Sequence, residues 1–290
     1  MLKKVVFILA AIGWLFTNSV GAQGAMIIHD KGVNETIYRD DFTIPATNHM
    51  LMDIKKIHIL LERLSRQVHQ EPVDAKLDAN RKIIPEITGK KMDVDSFMTV
   101  FQEFLYHGSS KRISVPKTVV YPRVDSELLS NISANKIGSY VTRYKQSNKE
   151  RSHNIVLAAE AINNHVLFPG ESFSFNKVVG KRTKERGYKK APVIVKGELS
   201  EDIGGGICQV SSTLFNAVNL QGIQIVERYT HSREVPYVPP GKDATVSWWG
   251  PDFVFKNKYK QPILVRAQAG NGNMAVEIYG PDALHQENAS

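Results

Sequence analysis

The sequence predicts an α+β fold, with a strand-rich, largely antiparallel C-terminal half preceded by a small α+β module. Three observations carry that expectation. From about residue 172 onward, short alternating apolar runs follow one another, separated by Gly, Pro, Asn and Asp turn signals. The amphipathic helical stretches are few and segregated from those runs, which argues against repeated parallel βαβ units. A chain of 290 residues at 42% hydrophobic and 23% charged can also bury a sizeable core. That composition excludes a mainly disordered, collagenous or polytopic membrane protein, and a single cysteine excludes a disulfide framework.

Taken in order, Met1–Lys4 is a short positive region and Val5–Phe16 an apolar run well short of the ~20 residues a spanning helix needs. Small residues then lead to Val20-Gly21-Ala22, so residues 1–22 read as a secretory signal peptide. Cleaved or retained as an anchor, it places the remainder outside the cytoplasm, extracellular or wall-associated. No later run is long and apolar enough to span a membrane. The formal charge of +8, two of it from Lys3 and Lys4, would draw the chain to a polyanion. Export argues against nucleic acid and leaves anionic lipid or a wall polymer rich in phosphate and carboxylate.

Residues 23–50 lack a firm period and read as an extended lead-in to an amphipathic helix over Leu51–Gln70. The apolar stripe of that helix is Ile54, Ile57, Leu61, Leu64 and Val68. Residues 71–122 form the small module: strand-like runs at Pro72–Leu77 and Ile83–Ile87, a helix opened by Asp93-Val94-Asp95, and a strand at Ile113–Tyr121. Pro122 and the polar stretch to Lys136 mark a boundary, and residues 137–282 form the main domain. There a helix is predicted at His153–Asn163 and strands at Ser172–Phe175, Pro192–Val195, Ile223–Glu227, Thr245–Trp248, Phe253–Phe255, Ile263–Ala267 and Met274–Tyr279.

The segment Gly204-Gly205-Gly206-Ile207-Cys208-Gln209-Val210 carries the chemistry. Val210, Leu214, Ala217 and Val218 set a helical period, so a helix begins near Cys208. Glycines before it permit backbone conformations that a Cβ forbids, and unpaired first-turn amides favour a thiolate. The amides around Gly205, Gly206 and Ile207 would then stabilise an oxyanion. A free cysteine often behaves simply as a small hydrophobe, so this pattern alone leaves both roles open. Of nine histidines, His231 is the best placed to act as base, with Asp243 to orient it. The other eight have no metal-type spacing, so neither a metal nor a cofactor is expected. Trp248 and Trp249 should face opposite sides of a strand, one in the core and one free to stack on a ligand. Arg182, in a basic cluster with Lys181, Lys184 and Arg186 beside Gly187-Tyr188, could clamp a substrate carboxylate.

From about Ile137 to Tyr279 the chain resembles the VanW family of exported bacterial cell-wall proteins. The resemblance is carried by Arg151-Ser152-His153-Asn154-Ile155, Phe168–Asn176, Gly180–Thr183, Gly187-Tyr188, Gly204–Asn216, His231-Ser232, Tyr237–Val246 and Asp252-Phe253. Residues 71–121 more weakly resemble the peptidoglycan-binding domain that often precedes a VanW domain. Family membership implies a role at peptidoglycan, and some VanW-domain proteins are L,D-transpeptidases whose nucleophile is the cysteine of the glycine-rich segment. Carried over, Cys208 would attack a stem-peptide carbonyl and pass the acyl group to a neighbouring stem. Two rivals remain: a non-catalytic wall-binding accessory protein with a structural Cys208, and a cysteine carboxypeptidase or endopeptidase on the same stems. Arg182, Tyr188 and Trp248 are the expected substrate contacts, stem peptides the expected partner, and the oligomeric state is not assigned.

Overall fold

The computed structural model describes residues 24–47, 51–195 and 198–280 of the chain. The expected signal peptide, residues 1–22, lies outside the described residues. Two compact units emerge: one runs up to Pro72 and adds Thr88–Tyr121, and the other joins Val73–Ile87 to the chain from Pro122 onward. Helices and strands occur in both, in keeping with the α+β expectation.

In the first unit, strands Ala25–Asp30 and Val33–Tyr38 form an antiparallel hairpin, and Lys111–Ile113 pairs parallel to the first of them. This corrects the extended lead-in read from the sequence. Met26, Ile28, Val33 and Ile37 alternate into the core on either side of a turn at Gly32, where φ is 86°. Helix α1, Ile54–Val68, is capped by the Asp53 carboxylate, which accepts from the Lys56 amide at 3.1 Å. Its buried stripe is Ile57, Leu60, Leu64 and Val68, rotated from the expected one so that Ile54 is exposed. Helix α2, Val94–His107, starts on the Asp93 cap and ends on Gly108 at φ 62°. It buries Phe97, Phe101 and Phe104, with Phe42 edge-on to Phe101 at 5.1 Å. The region expected as one strand over Ile113–Tyr121 is two, Lys111–Ile113 and Lys117–Val120, the latter antiparallel to Gly89–Met92.

In the second unit, a four-stranded antiparallel sheet has the order Lys136–Arg143, Asn273–Tyr279, Ile263–Gly270, His165–Leu167. A three-stranded antiparallel sheet joins Ser172–Ser174, Val254–Asn257 and Ile223–Glu227, and Lys190–Val195 pairs with Glu198–Ile203 as a hairpin. Of the excursion Val73–Ile87, only Lys76–Leu77 and Ile83–Ile84 pair as strands, shorter than the alternation suggested. Helix α3, Ser126–Ser133, lies inside the stretch read as a polar boundary. Its signals were an Asp125 cap, accepting from the Leu128 amide at 2.7 Å, and the buried pair Leu129 and Ile132. Helix α4, Lys149–Ile162, buries Asn154, Ile155, Ala158, Ala159 and Ile162, and α5 is the short turn Phe175–Val179. Helix α6, Ile207–Ala217, packs on α4 and on the four-stranded sheet.

The core of this unit is aromatic and β-branched. Phe173 stacks on Phe255 at 4.9 Å, and Phe253 meets Phe215 edge-on at 5.7 Å and Phe255 at 5.6 Å. Buried Asn257 donates to the Leu167 and Gln261 carbonyls at 2.9 and 3.0 Å and accepts the Tyr259 amide at 2.9 Å, so its amide is fully used. Phe253→Ala should destabilise the protein by about 3–5 kcal/mol through the cavity it leaves, whereas truncating exposed Tyr121 should change stability by less than about 0.5 kcal/mol. Urea unfolding of the two variants beside the wild type checks both.

Candidate active site

The N-terminus of α6 is built by its three glycines, each for its own steric reason. Gly204 and Gly206 have φ of 90° and 104°, and a Cβ on Gly205 would lie 2.4 Å from the Ala191 carbonyl oxygen. The buried Asn154 side chain of α4 holds this corner by donating to the Lys189 and Gly205 carbonyls at 2.9 and 3.0 Å. It also accepts the Lys189 amide at 2.8 Å. The Ile207 amide is turned onto the Gly204 carbonyl at 3.3 Å, which removes it from the expected oxyanion donors. Gly206 caps the helix without a side chain, and the Cys208 amide, in the first turn, has no acceptor within its own helix.

One face of α6 carries Cys208, Ser211, Ser212 and Asn216, and all four touch the segment 242–246. Ser211 Oγ donates to the Ala244 carbonyl at 2.5 Å, Ser212 Oγ accepts the Ala244 amide at 2.9 Å, and Asn216 Nδ2 donates to the Lys242 carbonyl at 2.7 Å. At the head of the row, Cys208 Sγ lies 3.4 Å from the Val246 carbonyl, 3.5 Å from the Val246 amide and 3.7 Å from Thr245 Oγ1. Thr245 had been expected to begin a strand; it makes a single bridge with Tyr229. That bridge explains the next contact, because antiparallel pairing of 229 with 245 sets 231 opposite 243 on the same face.

His231 and Asp243 accordingly meet. Asp243 Oδ2 accepts from the His231 backbone amide at 2.6 Å and from His231 Nδ1 at 2.5 Å, with side-chain exposures of only 7% and 9%. An ionised carboxylate only accepts, so Nδ1 carries the proton and Nε2 is left for the thiol. Burial opposes ionisation of Cys208, but hydrogen bonding to His231, its charge, the Val246 backbone and Thr245 together hold the thiol below its ordinary value. Burial likewise opposes the imidazolium, and the Cys208 and Asp243 partners outweigh it, so His231 is raised. Asp243 is buried too, yet its bonds to His231 keep it below the usual carboxylate range.

Of the remaining expected residues, Arg182 reaches the site, Tyr188 is buried with its hydroxyl in the field of Arg182 and Arg186, and Trp248 lies two residues past Val246. Arg182 Nη1 donates to Asn176 Oδ1 at 2.7 Å, and the thiol's charge is felt at its guanidinium. Tyr188 is 4% exposed and packs in the core, offering no surface to a ligand. Trp248 and Trp249 do not alternate in a strand: they sit in a turn, 37% and 84% exposed, with ring centres 6.1 Å apart. Neither is core, because Ser247 and Pro251 hold the turn through their carbonyls, which accept from Asn176 Nδ2 at 2.9 and 3.0 Å. Two residues that the sequence marked only as carriers of the family resemblance also stand at the site. Arg151 of α4 donates to Gln209 Oε1 at 2.8 Å and also senses the thiol, and Tyr237, 6.0 Å below the Arg151 guanidinium, has its hydroxyl pushed up by burial. The sequence signal for Arg151 was its place three residues before Asn154 on one helical face.

The thiol is lowered and the imidazole raised, so the two shifts both favour a thiolate beside an imidazolium. Alkylation of Cys208 by iodoacetamide, followed against pH, should therefore rise below the ~8.5 of a free cysteine. His231→Gln leaves burial unopposed by the imidazole and should move that limb above ~8.5, with Asp243→Asn moving it less far. Stability is linked with opposite signs. The Asp243 contribution is present above about pH 4 and lost as pH falls through its lowered folded value, while that of His231 is present below about pH 6.5 and lost as pH rises through its raised one.

Comparison with known proteins gives two family matches. The family described as "VanW like protein" matches residues 150–279, which include every side chain just described around Cys208. The family described as "Putative peptidoglycan binding domain" matches residues 31–114, taking in the second hairpin strand and α1 as well as α2. The "Uncharacterized protein YoaR" of Bacillus subtilis (strain 168) is 53% identical over 250 residues, 86% of this chain and 82% of that protein. The "Vancomycin B-type resistance protein VanW" of Enterococcus faecalis (strain ATCC 700802 / V583) is 35% identical over 99 residues, 32% of this chain and 36% of that protein. No solved structure matches. Among the described residues, no helix is long and apolar enough to cross a membrane. Both family matches point to a role at the cell wall, and the chain belongs to the VanW family.

Proposed function

We propose that this protein is an exported, cysteine-dependent acyltransferase of the L,D-transpeptidase type, acting on peptidoglycan stem peptides. The observation that carries the reading is the relay from Asp243 through His231 to Cys208, at a helix start whose cap has no side chain. The Cys208 thiolate attacks the carbonyl before the last residue of a donor stem, forming an S–C bond. The Gly206 and Cys208 amides receive the oxyanion, with the positive end of α6 behind them. As the tetrahedral species collapses, the C–N bond breaks and the His231 imidazolium gives its proton to the departing amine. An acceptor amine then attacks the thioester and passes its proton to His231, forming a new C–N bond and releasing the thiolate. Asp243 keeps the imidazole in the tautomer that both steps need.

The glycan and peptide of the wall would reach this site while the first unit, with its peptidoglycan-binding match, holds wall polymer. The basic balance of the chain favours that anionic surface.

The test is mass spectrometry of residues 23–290 incubated with a disaccharide-tetrapeptide, wild type beside Cys208→Ala. An acyl adduct on the Cys208 peptide with release of the terminal residue, followed by cross-linked dimers, is expected of the wild type alone. Trimmed stems without dimers would make the enzyme a hydrolase. No adduct on correctly folded protein, across several stem variants, would leave the wall-binding accessory reading in its place.

A further inference from the structure

Arg151 and Arg182 approach Cys208 from two different segments, and the glycines before the cysteine make room for both. A Cβ on Gly206 would lie 2.8 Å from Arg151 Cγ, and one on Gly204 would lie 3.1 Å from Arg182 Cβ and Cγ. Both guanidiniums are largely buried, and each feels the charge of the thiol. Yet their hydrogen-bond partners are neutral. Arg151 Nη2 donates to Gln209 Oε1, Arg182 Nη1 donates to Asn176 Oδ1, and Arg182 Nη2 is buried with no acceptor among the described residues. Asp252, the carboxylate whose field reaches Arg182, is already taken up by Ser174 Oγ at 2.5 Å and the Asn176 and Phe253 amides at 2.9 and 2.7 Å. A buried guanidinium with an idle donor is costly unless an anion completes it, and a planar carboxylate fits its fork.

We propose that Arg182 receives the free α-carboxylate of the donor peptide, so that the site takes chain ends and rejects chain interiors. The inference rests on the acyl-transfer reading for the identity of the ligand. On the acyl-transfer reading, the free α-carboxylate nearest the attacked carbonyl belongs to the residue that leaves. An endopeptidase has no use for this arrangement, because an internal peptide bond presents no charge there. Arg182 is the group that touches the ligand. Arg151, already engaged by Gln209, adds its field.

The experiment uses protection of Cys208 against iodoacetamide, a readout that needs no acyl transfer. N-acetyl-D-alanine, which has the carboxylate, and N-acetyl-D-alanine amide, which lacks it, are titrated against the wild type. The acid should protect at concentrations at least about tenfold lower than the amide, as a charge-assisted pair at a buried guanidinium requires. Arg182→Gln should abolish the difference, and Arg182→Lys, which keeps charge without the fork, should restore only part of it. Equal protection by acid and amide in the wild type, or protection by neither, overturns the carboxylate site whether or not the variants fold, and leaves the transferase reading standing. Acid-selective protection without a thioester in the mass-spectrometric test would instead sink the transferase reading and keep the carboxylate site.

Discussion

Ser211, Ser212 and Asn216 tie one face of α6 to the backbone of residues 242–246, and the geometry of the site depends on that seam. Each of the two buried bonds, from Ser211 and to Ser212, contributes only about 1 kcal/mol net, but leaving a partner unsatisfied costs about 1–3 kcal/mol, so the seam resists slippage. Because the row has helical spacing, it continues to Cys208 one turn earlier and delivers the Val246 amide and the Thr245 hydroxyl to the sulfur. At its other side, the same segment carries Asp243 to His231. The opposite face of α6 buries Val210, Leu214 and Ala217 in the core, and Gln209 and Thr213 bind Thr142 of the sheet at 2.9 and 2.8 Å. The helix is therefore held on every side before any ligand arrives.

Most of the charge around this corner favours a thiolate. His231, whose proton is held more tightly than usual, two guanidiniums and the start of a helix act on one thiol that burial would otherwise keep neutral. Asp243, the opposing charge, restrains the imidazole through two bonds to one of its oxygens. Such a field would suit the thiolate and oxyanion of the proposed acyl transfer. The three glycines allow this crowding: backbone, guanidinium stems and a neighbouring strand occupy the space that side chains at 204–206 would fill.

The first unit follows a different logic. Its core is built by two amphipathic helices and a hairpin around Phe97, Phe101 and Phe104. Its ion pairs tie strand to helix and strand to strand, Arg63 to Glu35 through two bonds at 2.7 and 2.6 Å and Lys117 to Asp30 at 2.6 Å. Burial of apolar surface supplies most of the stability there, and the partly exposed ion pairs add little.

Some of this was legible along the chain. The helix starting at Ile207 followed from three glycines and the apolar period of Val210, Leu214 and Ala217, and the strand Ile223–Glu227 from its own alternation. The pairing of His231 with Asp243 was reachable because both lie in one short loop. Other features had a local signal that was too quiet, such as the two-residue alternation of Met26, Ile28, Val33 and Ile37, or the Asp125 cap of α3. What the sequence by itself determined was therefore local: period, caps, turns and the setting of the cysteine, since each depends on neighbours a few residues away. Only the tertiary structure decided that Arg151 and Arg182 flank Cys208, that Tyr188 faces the core, and that both tryptophans face solvent. Those facts depend on which strands pair and which helix faces meet, contacts between residues far apart in the chain that no local pattern encodes.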